Sequence, residues 1–390
     1  MTRKNLALTL LLLSVLALAS ATLLISFQPA KAQPTFKNVP LPSSIPVAIL
    51  YQGGYIWTAG YDTGALYKID LSTQTVVGTW YVTGSENPDL YLYGIAFDGL
   101  DIWLTKRGPT TYEGALYKFS TATETFTEIV SGIGDATNIA YLNGYIYVAR
   151  TGGVTKVEVA TNTLTQIDFP DGVPYGYYGI IPFGSNILVS RFHWYWQVDP
   201  NGKLFEIETS TNTYIERLSG LHRPLGMTLS GSTLYIAENV RTAGDESLSG
   251  WSPAIAIVDT NTWTYIRQTV TGTPYGVGAF SYEATTYIVW TSSGEDEART
   301  RSINILSPST AYAVPYGAVY YLAYDGATVY FSYFGSAGVG GMDNWVPPTP
   351  EVLTSLSVQV LPLKPKYLIN QPINIAGVLS GEYLELSGVV

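Results

Sequence analysis

The sequence contains no cysteine and few charged residues. Because none of its 390 residues is cysteine, neither disulfides nor thiolate metal sites can stabilise the fold, and packing has to do so. Charged residues make up 13% of the chain, and 30 acidic residues stand against 20 basic ones. An acidic chain repels the phosphate backbone of nucleic acids, so a nucleic-acid partner is not expected.

Several motifs that carry chemistry are also missing. The sequence has no phosphate-binding glycine loop, no nucleophile elbow, no zinc-ligand spacing and no Asn-x-Ser/Thr acceptor. Its only histidines are His193 and His222. The enzyme classes that depend on those motifs are therefore excluded, and no catalytic residue is assigned.

The N-terminus has the pattern of an export signal. Arg3 and Lys4 precede an uncharged run over residues 6–27, and Ala30-Lys-Ala32 offers a small-x-small cleavage site. Cleavage after residue 32 removes three basic residues and no acidic one, which leaves 17 against 30 and a net charge of −13. We expect residues 1–32 to be a signal peptide and the protein to be extracellular or at the cell surface. An uncleaved N-terminal anchor is the alternative, because the run is long enough to span a bilayer.

A repeat of about 45 residues runs through most of the chain. Its clearest part is an alternating aromatic and β-branched strand that occurs seven times at steps of 41 to 52 residues, the length of a four-stranded propeller blade. The seven copies are residues 55–59, 101–105, 145–149, 186–190, 234–238, 286–290 and 329–333.

Other strands flank each copy. A strand rich in small residues precedes it, as in 93–97 and 275–280, and a third strand follows, as in 65–70. A Ser/Thr/Asn turn and an outer strand, as in 213–218, complete the unit. The sequence therefore predicts an all-β fold, a seven-bladed β-propeller. Six or eight blades are the alternatives, because the third strand of the last copy is poorly marked.

The two ends of the repeat region suggest how the ring closes. The seventh copy, from residue 317 to about 343, lacks a convincing fourth strand, and residues 36–42 look like that strand. We expect the mature N-terminus to close a propeller over residues 33–344. A Pro-rich linker (345–351) and the opening strands of an immunoglobulin-like β-sandwich (352–390) follow, with a pendant hairpin as the alternative to the sandwich.

The repeats resemble known propeller families. Residues 145–164, YIYVARTGGVTKVEVATNTL, are similar to the repeat of YVTN-type surface-layer propellers. Residues 225–239, LGMTLSGSTLYIAEN, resemble a blade of the virginiamycin B lyase-like propellers, and the resemblance covers about residues 35–343. It implies architecture more than chemistry. Lyase members use His and Glu residues around a magnesium ion, but neither histidine of this chain lies in a motif that aligns with theirs.

Candidate binding residues lie in long connections that a propeller gathers on one face. These connections are residues 106–114, 191–203, 239–253 and 291–302. The run from Arg191 to Gln197 holds five successive residues with aromatic or imidazole rings, which suit stacking on a ligand or packing of a strand. The candidate ligand-binding residues are Arg191, His193, Trp194, Tyr195, Trp196, His222, Arg223, Glu238 and Trp251.

Two weaker candidates concern metals. For His222 and Glu238 the sequence leaves two interpretations: a pair that binds a metal or acts as acid and base, and a pair with a structural role. The acidic run 294–301 is interpreted either as a calcium loop or as a solvated loop. The run lacks the alternating oxygen ligands of a calcium loop, so no metal site is assigned.

The sequence favours an exported binding or scaffold module whose partner is a cell-surface protein or a glycan, with no cofactor. The membrane would be reached only through an uncleaved N-terminal segment or a part beyond residue 390. The alternative is a propeller lyase or lactonase-like hydrolase with Mg or Ca in the central channel. A passive surface-layer subunit is a third reading. The inner strands mostly present Gly, Ala, Ile and Tyr, which argues against a metal-lined axis.

Overall fold

The computed structural model divides the chain into two compact units, Met1–Val346 and Pro347–Val390. It describes residues 34–42, 45–108, 113–170, 175–193, 202–240, 252–282, 285–293, 301–306, 310–314, 317–335, 338–343, 345, 373–379 and 382–388. All regular elements in these segments are β-strands. None of the segments contains a helix long and apolar enough to cross a membrane.

The first unit contains seven four-stranded antiparallel sheets. Sheet 1 is formed by β2 (Pro46–Gln52), β3 (Tyr55–Gly60), β4 (Ala65–Asp70) and β5 (Thr75–Tyr81), and sheet 2 by β6 (Tyr91–Phe97), β7 (Ile102–Arg107), β8 (Ala115–Ser120) and β9 (Thr125–Ser131). Sheet 3 is formed by β10 (Ala136–Leu142), β11 (Tyr145–Arg150), β12 (Gly153–Glu158) and β13 (Leu164–Asp168), and sheet 4 by β14 (Tyr175–Phe183), β15 (Asn186–His193), β16 (Gly202–Glu208) and β17 (Thr213–Leu221).

The remaining sheets continue this order. Sheet 5 is formed by β18 (Pro224–Ser230), β19 (Thr233–Glu238), β20 (Ala254–Asp259) and β21 (Thr264–Thr269), and sheet 6 by β22 (Pro274–Tyr282), β23 (Thr285–Ser293), β24 (Arg301–Ile305) and β25 (Thr310–Ala313). Sheet 7 is formed by β26 (Gly317–Tyr324), β27 (Val329–Gly335), β28 (Gly338–Asp343) and, outermost, β1 (Thr35–Pro40).

The sheets form a closed ring. The first strand of each sheet contacts the first strands of both neighbouring sheets, and β26 of sheet 7 contacts β2 of sheet 1. Burial follows from this arrangement: β3 is buried from Ile56 to Gly60 because sheets cover both its faces, whereas the outer strand β5 is exposed at every second residue in its first half. The predicted strand order of the repeat is confirmed.

Sheet 7 explains why its third strand was hard to recognise from the sequence. β28 has the sequence GVGGMD, which lacks an alternating aromatic pattern. A Cβ atom on Gly340 would lie 2.2 Å from the ring of Phe331, so the large side chains of β27 require glycine opposite them. β1 pairs with β28 in an antiparallel register that runs from Thr35 opposite Asp343 to Pro40 opposite Gly338.

The ring also extends one residue beyond the predicted boundary. Trp345, assigned from the sequence to the linker, is fully buried. Its indole Nε1 donates to the Ala327 carbonyl at 2.9 Å, and its ring packs edge-on against Tyr287 and Tyr324. Trp345 is therefore part of the core of the first unit.

Buried hydroxyl groups join neighbouring inner strands. In sheet 6, Thr291 Oγ1 accepts a hydrogen bond from the Gly276 N–H at 2.9 Å and donates to the Tyr320 carbonyl of sheet 7 at 2.8 Å. Thr105 in sheet 2 and Ser190 in sheet 4 make the same two kinds of contact. We call these three side chains the bridging hydroxyls.

The topology separates two ends of the ring. Connections from second to third strands leave from the same end as those that lead to the next sheet, and we call this end the loop face. The opposite end, the turn face, carries five alike hairpin turns between third and outer strands. Each has a left-handed residue between two exposed threonines whose hydroxyls lie 2.7 to 2.9 Å apart. The left-handed residues are Gln74, Glu124, Asn162, Asn212 and Trp263.

In the second unit, β29 (Ile373–Leu379) and β30 (Glu382–Gly388) form an antiparallel hairpin. Residues 346–372, which hold the rest of the predicted linker and the start of the predicted sandwich, lie outside the described residues. The immunoglobulin-like sandwich therefore stays a prediction.

Candidate functional site: the axis and the loop face

Four tyrosines from four different sheets meet at the axis of the ring. Tyr93, Tyr178, Tyr275 and Tyr321 lie on the inner strands β6, β14, β22 and β26, each at the β-bulge of its strand. The first three lie in the half of the strand nearer the loop face, and Tyr321 lies at the middle of β26. A bulge re-aims the side chain that it carries. Here the rings of Tyr93 and Tyr178 are 5.9 Å apart and those of Tyr178 and Tyr275 are 5.8 Å apart, both edge to face. We call the four residues the tyrosine cluster.

Their hydroxyl groups form one hydrogen-bonded network. Tyr93 Oη lies 2.8 Å from Tyr178 Oη and 2.7 Å from Tyr275 Oη, and Tyr178 Oη lies 2.5 Å from the hydroxyls of Tyr275 and Tyr321. The Asn138 side chain also hydrogen-bonds Tyr321.

Three members of the cluster, Tyr178, Tyr275 and Tyr321, are uncharged at neutral pH. Burial raises the pKa of Tyr178, Tyr275 and Tyr321 well above 10.0, and the neighbouring phenols raise it further. Val47, Leu225 and Phe192 pack with the cluster. The described part of the axis thus presents phenols, the Asn138 amide and apolar groups. No group of three or more His, Asp or Glu side chains that could hold a metal ion occurs in the described residues.

A second group lies at the loop-face ends of sheets 1, 2 and 3. The rings of Tyr61 and Tyr91 are 4.9 Å apart and half-buried, and Tyr61 also packs against Tyr93 at 6.0 Å. Arg107 lies with its guanidinium 5.0 Å from the Tyr93 ring centre and binds Asp135 through two hydrogen bonds of 3.0 and 2.9 Å. We call Tyr61, Tyr91, Arg107 and Asp135 the aromatic–arginine group.

A third group surrounds Glu238. This fully buried carboxylate accepts hydrogen bonds from Arg267 at 2.7 and 3.1 Å and from the His222 backbone N–H at 2.7 Å. Burial and the charge of Arg267 lower the pKa of His222 to about 4, so its imidazole is neutral at neutral pH. His222 therefore meets Glu238 through its backbone, and Arg267 balances the charge of the carboxylate.

Comparisons with known proteins support the architecture alone. No protein-family model matches the sequence, and no curated protein matches it. Hydrazine synthase from Kuenenia stuttgartiensis matches with a TM-score of 0.60 and 13% identity over 83% of this chain and 99% of that one. The RRP9 WD40 repeats match with a TM-score of 0.60 and 6% identity over 80% of this chain and 99% of that one.

A third neighbour is the extracellular domain of a putative one-component system from B. thetaiotaomicron. It matches with a TM-score of 0.56 and 10% identity over 79% of this chain, and the match spans 40% of that chain. At these identities the likeness shows the fold. The chain contains a seven-bladed β-propeller. Its predicted blade number is confirmed, whereas membership of the YVTN or virginiamycin B lyase-like group is not.

The propeller places the predicted binding residues in different surroundings. Arg191 is buried in β15, with 2% of its surface exposed, Arg223 has a left-handed backbone at φ 48°, and Glu238 is buried at the end of β19. His193 is the last residue of β15. The candidates outside the described residues are Trp194, Tyr195, Trp196 and Trp251, so their predicted role stays a prediction.

Sequence reasoning did not identify the tyrosine cluster, the aromatic–arginine group or Arg267. A partial signal for the cluster is present, since the dipeptide Tyr-Gly occurs in inner strands at 93–94, 178–179 and 275–276, although it also occurs outside the cluster at 175–176 and 316–317. The glycine allows the next blade to approach closely, and the tyrosine before it turns toward the axis. Tyr321 follows another tyrosine and lacks this mark.

Proposed function

We propose that the protein is an exported cell-surface β-propeller that binds a protein or glycan on its loop face. The carrying observation is the position of the long connections: those following β7, β15, β19 and β23 all leave from the end of the ring where the tyrosine cluster and the aromatic–arginine group lie. A rigid ring that presents long loops beside half-buried aromatic rings is suited to binding.

Three finer proposals accompany this function. Residues 1–32 direct export, residues 352–390 begin an immunoglobulin-like domain, and the N-terminal strand closes the ring. The pairing of β1 with β28 and the Lys37–Asp343 ion pair of 2.6 Å support the last proposal. The relation to YVTN-type and virginiamycin B lyase-like propellers rests on the repeat motifs.

A binding experiment with two matched variants tests the proposal. The mature chain is titrated separately with envelope proteins and envelope polysaccharides, purified from the organism that encodes it. We expect one class to bind, and we expect the loop-face variant Trp194→Ala/Trp196→Ala to weaken that binding about tenfold or more. The control Thr161→Ala/Thr211→Ala alters only exposed turn-face residues and should bind like the wild type. An equal loss of binding affinity in both variants, or no binding by the wild type, would contradict the proposal.

Export has its own measurement. The full-length protein should appear in the extracellular or envelope fraction, and its N-terminus should begin at residue 33. Retention in the cytoplasm would overturn this part of the proposal.

A further inference from the structure

We propose that the aromatic–arginine group is a subsite that holds one pyranose ring of a neutral oligosaccharide. This inference rests on the proposed function, because it names the class of ligand and the part of the loop face that contacts it. It depends on the placement of four side chains from three neighbouring blades.

The ring pair supplies the apolar surface. Tyr61 follows the second strand of blade 1 and Tyr91 begins the inner strand of blade 2, so both lie at the loop-face end. Their rings are inclined by 36° and are half-buried, which fixes the rings and leaves part of them exposed. The C–H face of a sugar ring packs on such aromatic surface, and fixed rings lose little entropy on binding.

The charged pair supplies polar recognition. Arg107 and Asp135 form two parallel hydrogen bonds between blades 2 and 3. Each Asp135 oxygen accepts one of these bonds and retains a lone pair that can accept from a sugar hydroxyl. Arg107 is 21% and Asp135 8% exposed, so hydrogen bonds made here are partly shielded from water.

The ligand is expected to be neutral because the subsite carries no net charge. Arg107 and Asp135 neutralise each other, and burial raises the pKa of Tyr61, so that its phenol stays protonated. A protein partner would need about 20 to 30 residues on each side of the interface. Two rings and one ion pair match the size of a single sugar unit.

The test uses defined neutral oligosaccharides. Maltopentaose, cellopentaose, xylopentaose and chitopentaose are titrated into the mature chain by calorimetry, and saturation-transfer NMR identifies the sugar protons in contact. We expect at least one pentaose to bind, Tyr61→Ala and Tyr91→Ala each to weaken it about five- to tenfold, and Tyr61→Phe to keep it within about threefold. Tyr265→Ala, on the outer strand β21, is the control and should bind normally. Circular dichroism confirms that each variant is folded.

The outcomes separate this inference from the proposed function. Pentaose binding that survives in both Tyr61→Ala and Tyr91→Ala would overturn the subsite. If no pentaose binds but an envelope protein does, and the Trp194/Trp196 variant loses it, the inference fails and the proposed function stands. If neither class binds the loop face, both fail.

Discussion

The tyrosine cluster links the stability of the propeller to alkaline pH. Unfolded tyrosines lose their protons near pH 10, whereas the pKa of Tyr178, Tyr275 and Tyr321 is well above that value in the folded chain. The unfolded state therefore binds fewer protons above pH 10, and stability falls as pH rises toward the folded pKa values. A tyrosine that is protonated in the folded chain and deprotonated in the unfolded chain lowers the free energy of unfolding by about 1.4 kcal/mol per pH unit.

Urea unfolding between pH 8 and 11 measures this loss, and absorbance at 295 nm follows phenolate formation. We expect Tyr178→Phe to be less stable at pH 8, because it removes hydrogen bonds, but to lose stability less steeply above pH 10. Tyr51→Phe lies outside the cluster and should retain the slope of the wild type. Equal slopes in all three proteins would show that the cluster titrates normally.

Substituting Glu238 and substituting Arg267 are expected to lower the free energy of unfolding by different amounts. Arg267→Met leaves a fully buried carboxylate with only the His222 N–H as a donor, at a cost of about 3–5 kcal/mol. Glu238→Gln removes that buried charge and should cost less. In blade 3, Asp168 pairs with Arg150 but is 69% exposed, and Arg150 also donates to Thr155 Oγ1 and the Thr151 carbonyl, so Asp168→Asn should cost less than Arg267→Met. Urea unfolding at pH 7 gives all three values, and similar costs for Arg267→Met and Asp168→Asn would contradict the argument.

At the scale of the strand, each bridging hydroxyl serves two blades at once. Thr291→Val keeps the shape of the side chain but leaves the Gly276 N–H and one lone pair of the Tyr320 carbonyl unsatisfied in a buried site. We expect a loss of about 2–4 kcal/mol, because each unsatisfied group costs about 1–3 kcal/mol. Thr291→Ser retains the hydroxyl and should lose much less.

The exposed Thr262→Val in the turn of blade 5 is the matched control and should change stability by less than about 0.5 kcal/mol. Thermal unfolding compares the three variants. A Thr291→Val protein as stable as Thr291→Ser would show that the strands are held without this bridge. Blade 5 shows a natural substitute: Ala237 occupies the bridging position, and Asn239 Nδ2 donates to the Pro274 carbonyl of blade 6 at 2.8 Å.

Strands with a local sequence pattern could be predicted from the sequence. The site could not, because its residues come from distant parts of the chain. β7 and β11 alternate aromatic and aliphatic residues, so sequence alone located both ends of each strand within two residues. β28 was poorly marked because Phe331 and its neighbours require glycine there. The contact between Tyr93 and Tyr275 joins residues 182 positions apart, and no periodicity within one blade predicts that distance. Arg267 was missed for the same reason, since its partner Glu238 lies two strands away.

At the scale of the whole molecule, ring stability should depend on the strand nearest the predicted cleavage site. Deleting residues 34–40 removes β1, the Lys37–Asp343 ion pair and the buried side chain of Val39, and it leaves β28 as an unpaired edge. Because the inner strands of blades 7 and 1 also contact each other, we expect the deleted chain to keep its β-structure but to melt at least 10 °C lower.

A peptide of residues 33–42 should restore the melting temperature in proportion to its concentration, as a ligand that binds the folded state alone must. The same peptide with Asn38→Pro lacks a backbone donor in the middle of the strand and should restore less. Melting that is unchanged by the deletion, or restored equally by both peptides, would mean that the ring is closed by the inner-strand contacts and that β1 is dispensable. If the deletion lowers the melting temperature and only the native peptide restores it, the cooperative unfolding of all seven blades depends on the N-terminal strand.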